Sequence, residues 1–140
     1  MRSIEISHKT AILIVDDEPG MAATLQDILQ TFGHDVEVAN DGLKAIERVK
    51  ARPFDIVLMD IRMPGINGVE AFKEVKKIRP GTAVMMMTAY SVEGLIAEAL
   101  EKGAYGVLHK PFDVRRVLEF IAKIEEGGLV LVVDDDVAFG

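Results

Sequence analysis

The sequence predicts an α/β domain in which helices cover both faces of a parallel β-sheet. Two observations carry this. Short apolar runs alternate with segments of helical period along the chain, and the first of them is apolar at consecutive positions instead of every second one. The runs occupy residues 11–15, 36–39, 56–59, 83–87 and 106–108. In the first, Ile12, Leu13, Ile14 and Val15 are all aliphatic, as a parallel strand buried on both faces requires. A strand-helix order repeated five times gives right-handed crossovers and one layered sheet.

The helical segments follow in order. Met21, Leu25, Ile28, Leu29 and Phe32 make the first stripe, with Pro19 suited to an opening helical turn and Asp17 or Glu18 to its cap. The second helix runs from Gly42 to about Lys50 and carries Leu43, Ile46 and Val49. Val69, Phe72, Val75 and Ile78 line the third, and Leu95, Ile96, Ala99 and Leu100 the fourth. Val114, Val117, Leu118, Ile121 and Ile124 line the fifth. Gly33, Pro53, Gly81, Gly103 and Pro111 punctuate the boundaries.

Composition narrows the functional classes. The 140 residues carry 16 Lys and Arg against 23 Asp and Glu, a net charge of −7. That balance argues against direct nucleic-acid binding and against an anionic membrane surface. Cys is absent, which excludes disulfides, thiolate metal sites and Cys nucleophiles. His8, His34 and His109 are scattered. No apolar run approaches a membrane span and the first residues hold no signal-peptide core, so a cytoplasmic location is the expectation.

In open α/β sheets, ligands bind beyond the carboxyl ends of the strands. Asp16 and Asp17 follow strand one, Asp60 strand three, Thr88 strand four, and His109 and Lys110 strand five. Singly, each has an ordinary explanation as a cap, a half-polar strand residue or a surface lysine. Together, clustered carboxylates repel one another and are best tolerated around a shared cation. Mg2+ suits such oxygen donors, because it keeps waters that a phosphate can replace. Lys and Thr would serve that phosphate, and a carboxylate nucleophile would form an acyl phosphate.

The segments ILIVDDE (12–18), DIVLMDIRMPGINGVE (55–70), VMMMTAY (84–90) and KPF (110–112) together resemble the receiver domain of two-component response regulators, the CheY-like family. The resemblance covers nearly all of residues 8–126. It implies a flavodoxin-like three-layer sandwich, with five parallel strands in the order 2-1-3-4-5 and five helices. It implies a phosphoacceptor signalling domain, not a conventional enzyme, that catalyses only its own phosphorylation and slow loss of the phosphate. Asp60 takes the place of the phosphoacceptor for a sensor histidine kinase or phosphotransfer protein. Asp17, Asp60 and the Arg62 backbone carbonyl take the places of Mg2+ ligands, with Asp16 acting through the water shell. Thr88 and Lys110 would hold phosphoryl oxygens, and the Lys110–Pro111 bond is expected to be cis.

Three positions bear on how such a domain would switch and how long its phosphate would last. Val107 stands three residues before Lys110, where an aromatic ring is common, and Tyr105 lies two positions earlier. Switching is therefore expected to run through the backbone after Thr88. Arg62 and Tyr90, each two residues beyond a site residue, are bulky and predict slow hydrolysis of the acyl phosphate. The family's output surface would comprise residues 91–102, 106–109 and 114–126, one candidate face for self-association.

Rival readings fit less well. A dinucleotide fold needs a G-x-G-x-x-G turn after strand one, where this chain reads Asp16-Asp17-Glu18-Pro19-Gly20. No P-loop is present. A haloacid dehalogenase-type phosphatase places its nucleophile after the first strand in a D-x-D pattern, whereas the isolated Asp here follows strand three. Met85, Met86 and Met87 read as adaptable core packing.

Residues 1–126 thus account for one receiver. After Gly127-Gly128, the segment Leu129-Val130-Leu131-Val132-Val133-Asp134-Asp135-Asp136 repeats Ala11 to Glu18 in register. Residues 127–140 are accordingly expected to be a linker and the first strand of a truncated second receiver. That strand should be buried at a sheet edge or by self-association through residues 129–133.

Overall fold

The computed structural model describes residues 10–89, 93–111, 113–126 and 132–133. Strands β1 (Ala11–Val15), β2 (Asp35–Ala39), β3 (Ile56–Asp60), β4 (Ala83–Thr88) and β5 (Gly106–His109) alternate with helices α1 (Pro19–Thr31), α2 (Gly42–Ala51), α3 (Gly68–Ile78), α4 (Glu93–Glu101) and α5 (Val114–Glu125). A two-residue strand, β6 (Val132–Val133), follows α5. Every pairing is parallel, in the order β2-β1-β3-β4-β5-β6. The five-strand order and five helices match the expectation. Gly106 pairs with Val132 and Val107 with Val133, so the extra strand sits on the β5 edge. Residues 134–136 lie outside the described residues.

Consecutive apolar residues in the strands are explained by two separate cores. Leu13, Val15, Val57, Met59, Val84, Met86 and Val107 pack beneath α2, α3 and α4. Ile12, Ile14, Ile56, Leu58, Met85, Met87 and Leu108 pack beneath α1 and α5. Successive side chains serve opposite faces, so β1, β3 and β4 stay apolar until the sheet ends, whereas the edge strand β2 carries Asp35 and Glu37. Met85, Met86 and Met87 are fully buried, as core packing demands.

Two helical stripes differ from the sequence reading. In α2, Gly42, Ala45 and Val49 face inward while Leu43 is 60% exposed. The turn of the helix is set by Gly42, whose missing side chain leaves room for Ile66, only 2.7 Å from where a Cβ would stand. In α1 the buried residues are Ala22, Leu25 and Leu29, and Phe32 falls beyond the last turn at 47% exposure. Small residues seat these helices closely, an effect a scale weighted to large apolar residues misses. In α5, Phe120 joins Val117 and Ile121 as the buried set.

Helix starts bring the site loops into place. Asp41 accepts from the Lys44 N–H at 2.8 Å, and Asn67 accepts from the Val69 and Glu70 N–H groups at 2.8 and 3.0 Å. Glu18 occupies the cap of α1, but neither it nor Asp17 caps through its side chain. Instead the Asp16 carboxylate accepts from the Glu18 N–H at 3.0 Å.

Candidate functional site

Each strand-end residue singled out from sequence lies on one edge of the sheet, and three are brought into contact. Asp60 is the last residue of β3, not the first after it, and Thr88 likewise closes β4. Asp16 is 1% exposed, Asp60 6% and Thr88 0%. Lys110 reaches in from beyond β5 and its Nζ donates to Asp16 Oδ2 at 2.7 Å and Asp60 Oδ2 at 3.1 Å. Glu18 Oε1 lies 3.8 Å from the same ammonium. The Lys110–Pro111 bond is cis.

Backbone contacts hold this edge together. The Ile61 N–H donates to the Met87 carbonyl at 2.8 Å, and the Lys110 N–H donates to the Thr88 carbonyl at 2.7 Å. The Gly68 N–H donates to the Ile61 carbonyl at 2.7 Å, drawing the start of α3 onto the end of β3. A Cβ at Gly68 would lie 2.0 Å from the Asp60 carbonyl oxygen. Only glycine permits that approach.

The electrostatics are unbalanced. Burial, opposed by the Lys110 charge and then reinforced by the Asp16 charge, pushes the Asp60 carboxyl up from 3.8 to about 6. Lys110 is held above its ordinary value: burial works against the ammonium, but hydrogen bonds and charge from Asp16 and Asp60 outweigh it. One ammonium thus serves a cluster of three carboxylates. Oxygens of Asp16, Asp17 and Asp60 all lie within 4.8 Å of one another, with Asp17 exposed and the other two buried. Oxygen donors so placed, with one open to solvent, are able to coordinate a divalent cation.

Asp16 makes the shorter of the two Lys110 contacts, at 2.7 Å against 3.1 Å for Asp60, which its expected place in a water shell does not suggest. Glu18 was missed as a neighbour of the ammonium, and nothing in the sequence separates it from an ordinary helix-start acid. Arg62 is exposed on the loop after β3, and its N–H donates to the Asp60 carboxylate. Val107, 1% exposed, is locked in the α2–α4 core. Tyr105 stacks edge-on against Phe120 at 6.0 Å between ring centroids, in the core on the opposite side of the sheet. Tyr90, Ser91 and Phe112 lie outside the described residues. A cleft of about 350 Å3 opens beside Asp17 between α1 and α2, lined in part by Gln26, Asn40 and Lys44.

Residues 12–122 match the family model described as the response regulator receiver domain. Among curated proteins, the chain is 45% identical over 102 residues to the transcriptional regulatory protein ZraR of Klebsiella oxytoca, covering 73% of this chain and 23% of ZraR. It is 38% identical over 116 residues to the chemotaxis protein CheY of Thermotoga maritima, covering 82% of this chain and 97% of CheY. The chain therefore spans about a quarter of the ZraR length. Among solved structures, a CheY-like receiver domain protein from Methanospirillum hungatei JF-1 superposes with a TM-score of 0.83 at 29% identity, over 86% of this chain and 96% of that one. Among the described residues, no helix is long and apolar enough to cross a membrane.

Proposed function

The chain belongs to the response regulator receiver domain family, and from that premise we propose that Asp60 is its phosphoacceptor in a Mg2+-dependent switch. The observation that carries this reading is the Lys110 ammonium held between Asp16 and Asp60, 2.7 and 3.1 Å away. An Asp60 oxygen attacks the phosphorus of a phosphohistidine on a sensor kinase or phosphotransfer protein. The P–N bond breaks, a P–O bond forms, and the donor imidazole leaves with the electron pair and takes up a proton. Lys110 then stays beside the new acyl phosphate and offsets its charge, and the Thr88 hydroxyl donates to a phosphoryl oxygen.

Asp16, Asp17, Asp60 and the Arg62 carbonyl would hold the Mg2+. When bound, the ion supplies positive charge to the transferring phosphoryl group. The donor set supports this assignment, being all oxygen and partly open. Domain 1–126 is the receiver in this reading, and residues 127–140 are a linker and the first strand of a second one. The register of 129–136 with 11–18 supports that division. Self-association would use residues 129–133 or the α4–β5–α5 face.

Intact-mass measurement after treatment with acetyl phosphate tests the site. Wild type should gain one phosphoryl group with Mg2+ and none with EDTA, and Asp60→Asn should gain none. Phosphate retained by Asp60→Asn would overturn the assignment. The lifetime of the product tests a second feature: Arg62→Ala and Tyr90→Ala should each shorten it, as smaller side chains admit water.

A further inference from the structure

A second residue beside Thr88 follows from strand register. On the α2–α4 face, Met86 of β4 pairs with Val107 of β5, and both belong to the core there. Met87 pairs with Leu108 and both belong to the opposite core. The next pair is Thr88 with His109. Partnered residues of parallel strands project to the same face, so Thr88 and His109 stand side by side on the α2–α4 side.

β4 lies between β3, which carries Asp60, and β5, which carries His109. Thr88 therefore has the imidazole of His109 as its direct neighbour on the β5 flank, while on the β3 flank Asp60 pairs with Met87, one position before Thr88. Adjacent strands are about 4.8 Å apart, so a turn of the Thr88 side chain changes the surroundings of its register partner on β5. Val107 cannot register that change, because it is branched at Cβ, fully packed and apolar. His109 can, because its half-buried side chain carries a solvent-shielded Nδ1 and its ring nitrogens can donate or accept. The Lys110 N–H bond to the Thr88 carbonyl ties the next residue to the same point.

We propose that His109 is a positioning residue that reads the orientation of Thr88 and carries it to the α4–β5 surface. The inference rests on Asp60 phosphorylation engaging Thr88, as set out above, and would give the chain a route for switching that needs no aromatic ring at Val107.

The test is NMR of the full 140-residue chain at constant pH, before and after saturation with beryllofluoride and Mg2+. In wild type, the Ile61 and Arg62 amides should shift, and the His109 imidazole signals should shift with them. In Thr88→Val, which keeps shape and removes the hydroxyl, the imidazole shift should be lost when scaled to the Ile61 amide shift that the same variant shows. His109→Ala should weaken the response of α4 amides such as Ala99, and His109→Phe should restore part of it. An imidazole that does not move while Ile61 does, or moves equally in Thr88→Val, overturns the coupling and leaves the phosphoacceptor reading intact. So does a wild-type α4 response in His109→Ala. No response at Ile61 in wild type overturns both.

Discussion

The two ends of the sheet both bury polar side chains, but they satisfy them differently. At the amino-terminal end, among the described residues, the buried hydroxyls of Thr10 and Thr82 each have an acceptor. The Thr82 hydroxyl donates to the Phe54 carbonyl at 2.8 Å and the Thr10 hydroxyl donates to Glu125, while the exposed Asp55 accepts from the Ala11 N–H at 2.8 Å. His34, buried nearby, has its Nδ1 4.0 Å from Glu125. At the carboxyl end, Asp16 and Asp60 divide one ammonium while Asp17 stands close by. One end is arranged for stability. The other carries an excess of negative charge that a cation would rebalance. Polar burial alone is thus a poor marker of function; unmatched polar burial is a better one.

The sharpest way to break this contrast is to remove the shared cation. Lys110→Met leaves two buried carboxylates facing each other, and losing one partner of a buried pair costs about 3 kcal/mol or more. Urea unfolding in EDTA should show that loss, and added Mg2+ should recover part of it. A loss insensitive to Mg2+ would mean the carboxylates do not form a cation site. Gly68→Ala comes next. Its Cβ would meet the Asp60 carbonyl oxygen at 2.0 Å, and forcing α3 away from β3 should cost about 2–3 kcal/mol. The same variant should label more slowly with acetyl phosphate, because Asp60 moves with its carbonyl.

Most of this architecture was legible in the sequence because strand ends and motif spacing are local. Ile12 to Val15 and Ile56 to Met59 announce two-sided burial, and the polar residue that ends each run marks the site edge. The resemblance then supplied the strand order and the roles, which no single run contains. What stayed hidden depends on contacts between elements. The inward face of α2 is chosen by Gly42 against Ile66, so Leu43 ends up outside. The closeness of Gly68 to the Asp60 backbone, the division of Lys110 between Asp16 and Asp60, and the pairing of His109 with Thr88 all need register and tertiary distance.

A gentler perturbation separates charge from shape at the carboxyl end. Burial first, and Asp16 after it, hold the Asp60 carboxyl at about 6 against an ordinary 3.8. Between those values the folded chain keeps a proton that the unfolded chain has released. Stability of the metal-free protein should therefore be fully present below about pH 4, fall as pH rises, and level off above about pH 6. Asp60→Asn removes the ionisation but also one partner of Lys110, which keeps Asp16. In EDTA at neutral pH, the variant should be more stable than wild type by about 1 kcal/mol. Its stability should also fall less between pH 4 and 6. Equal pH profiles for the two proteins would show that Asp60 carries no strained charge.

The smallest effect belongs to the opposite end, where the expectation is a loss of stability with no loss of chemistry. Thr82→Val keeps the shape of a residue that is 3% exposed and removes the hydroxyl that donates to the Phe54 carbonyl. That carbonyl then lacks this donor in a buried setting, at a cost of about 1 kcal/mol. The perturbed bond lies at the start of β4, a full strand away from Thr88. Phosphoryl labelling of Asp60 should proceed at the wild-type rate, while urea unfolding shifts to lower denaturant. If Thr82→Val slowed labelling as much as Gly68→Ala, the two ends of the sheet would be coupled and the division between a matched end and an unbalanced one would fail. If it changed neither rate nor stability, the Thr82 bond would be worth no more than one to water, and the amino-terminal end would owe its stability to apolar packing alone.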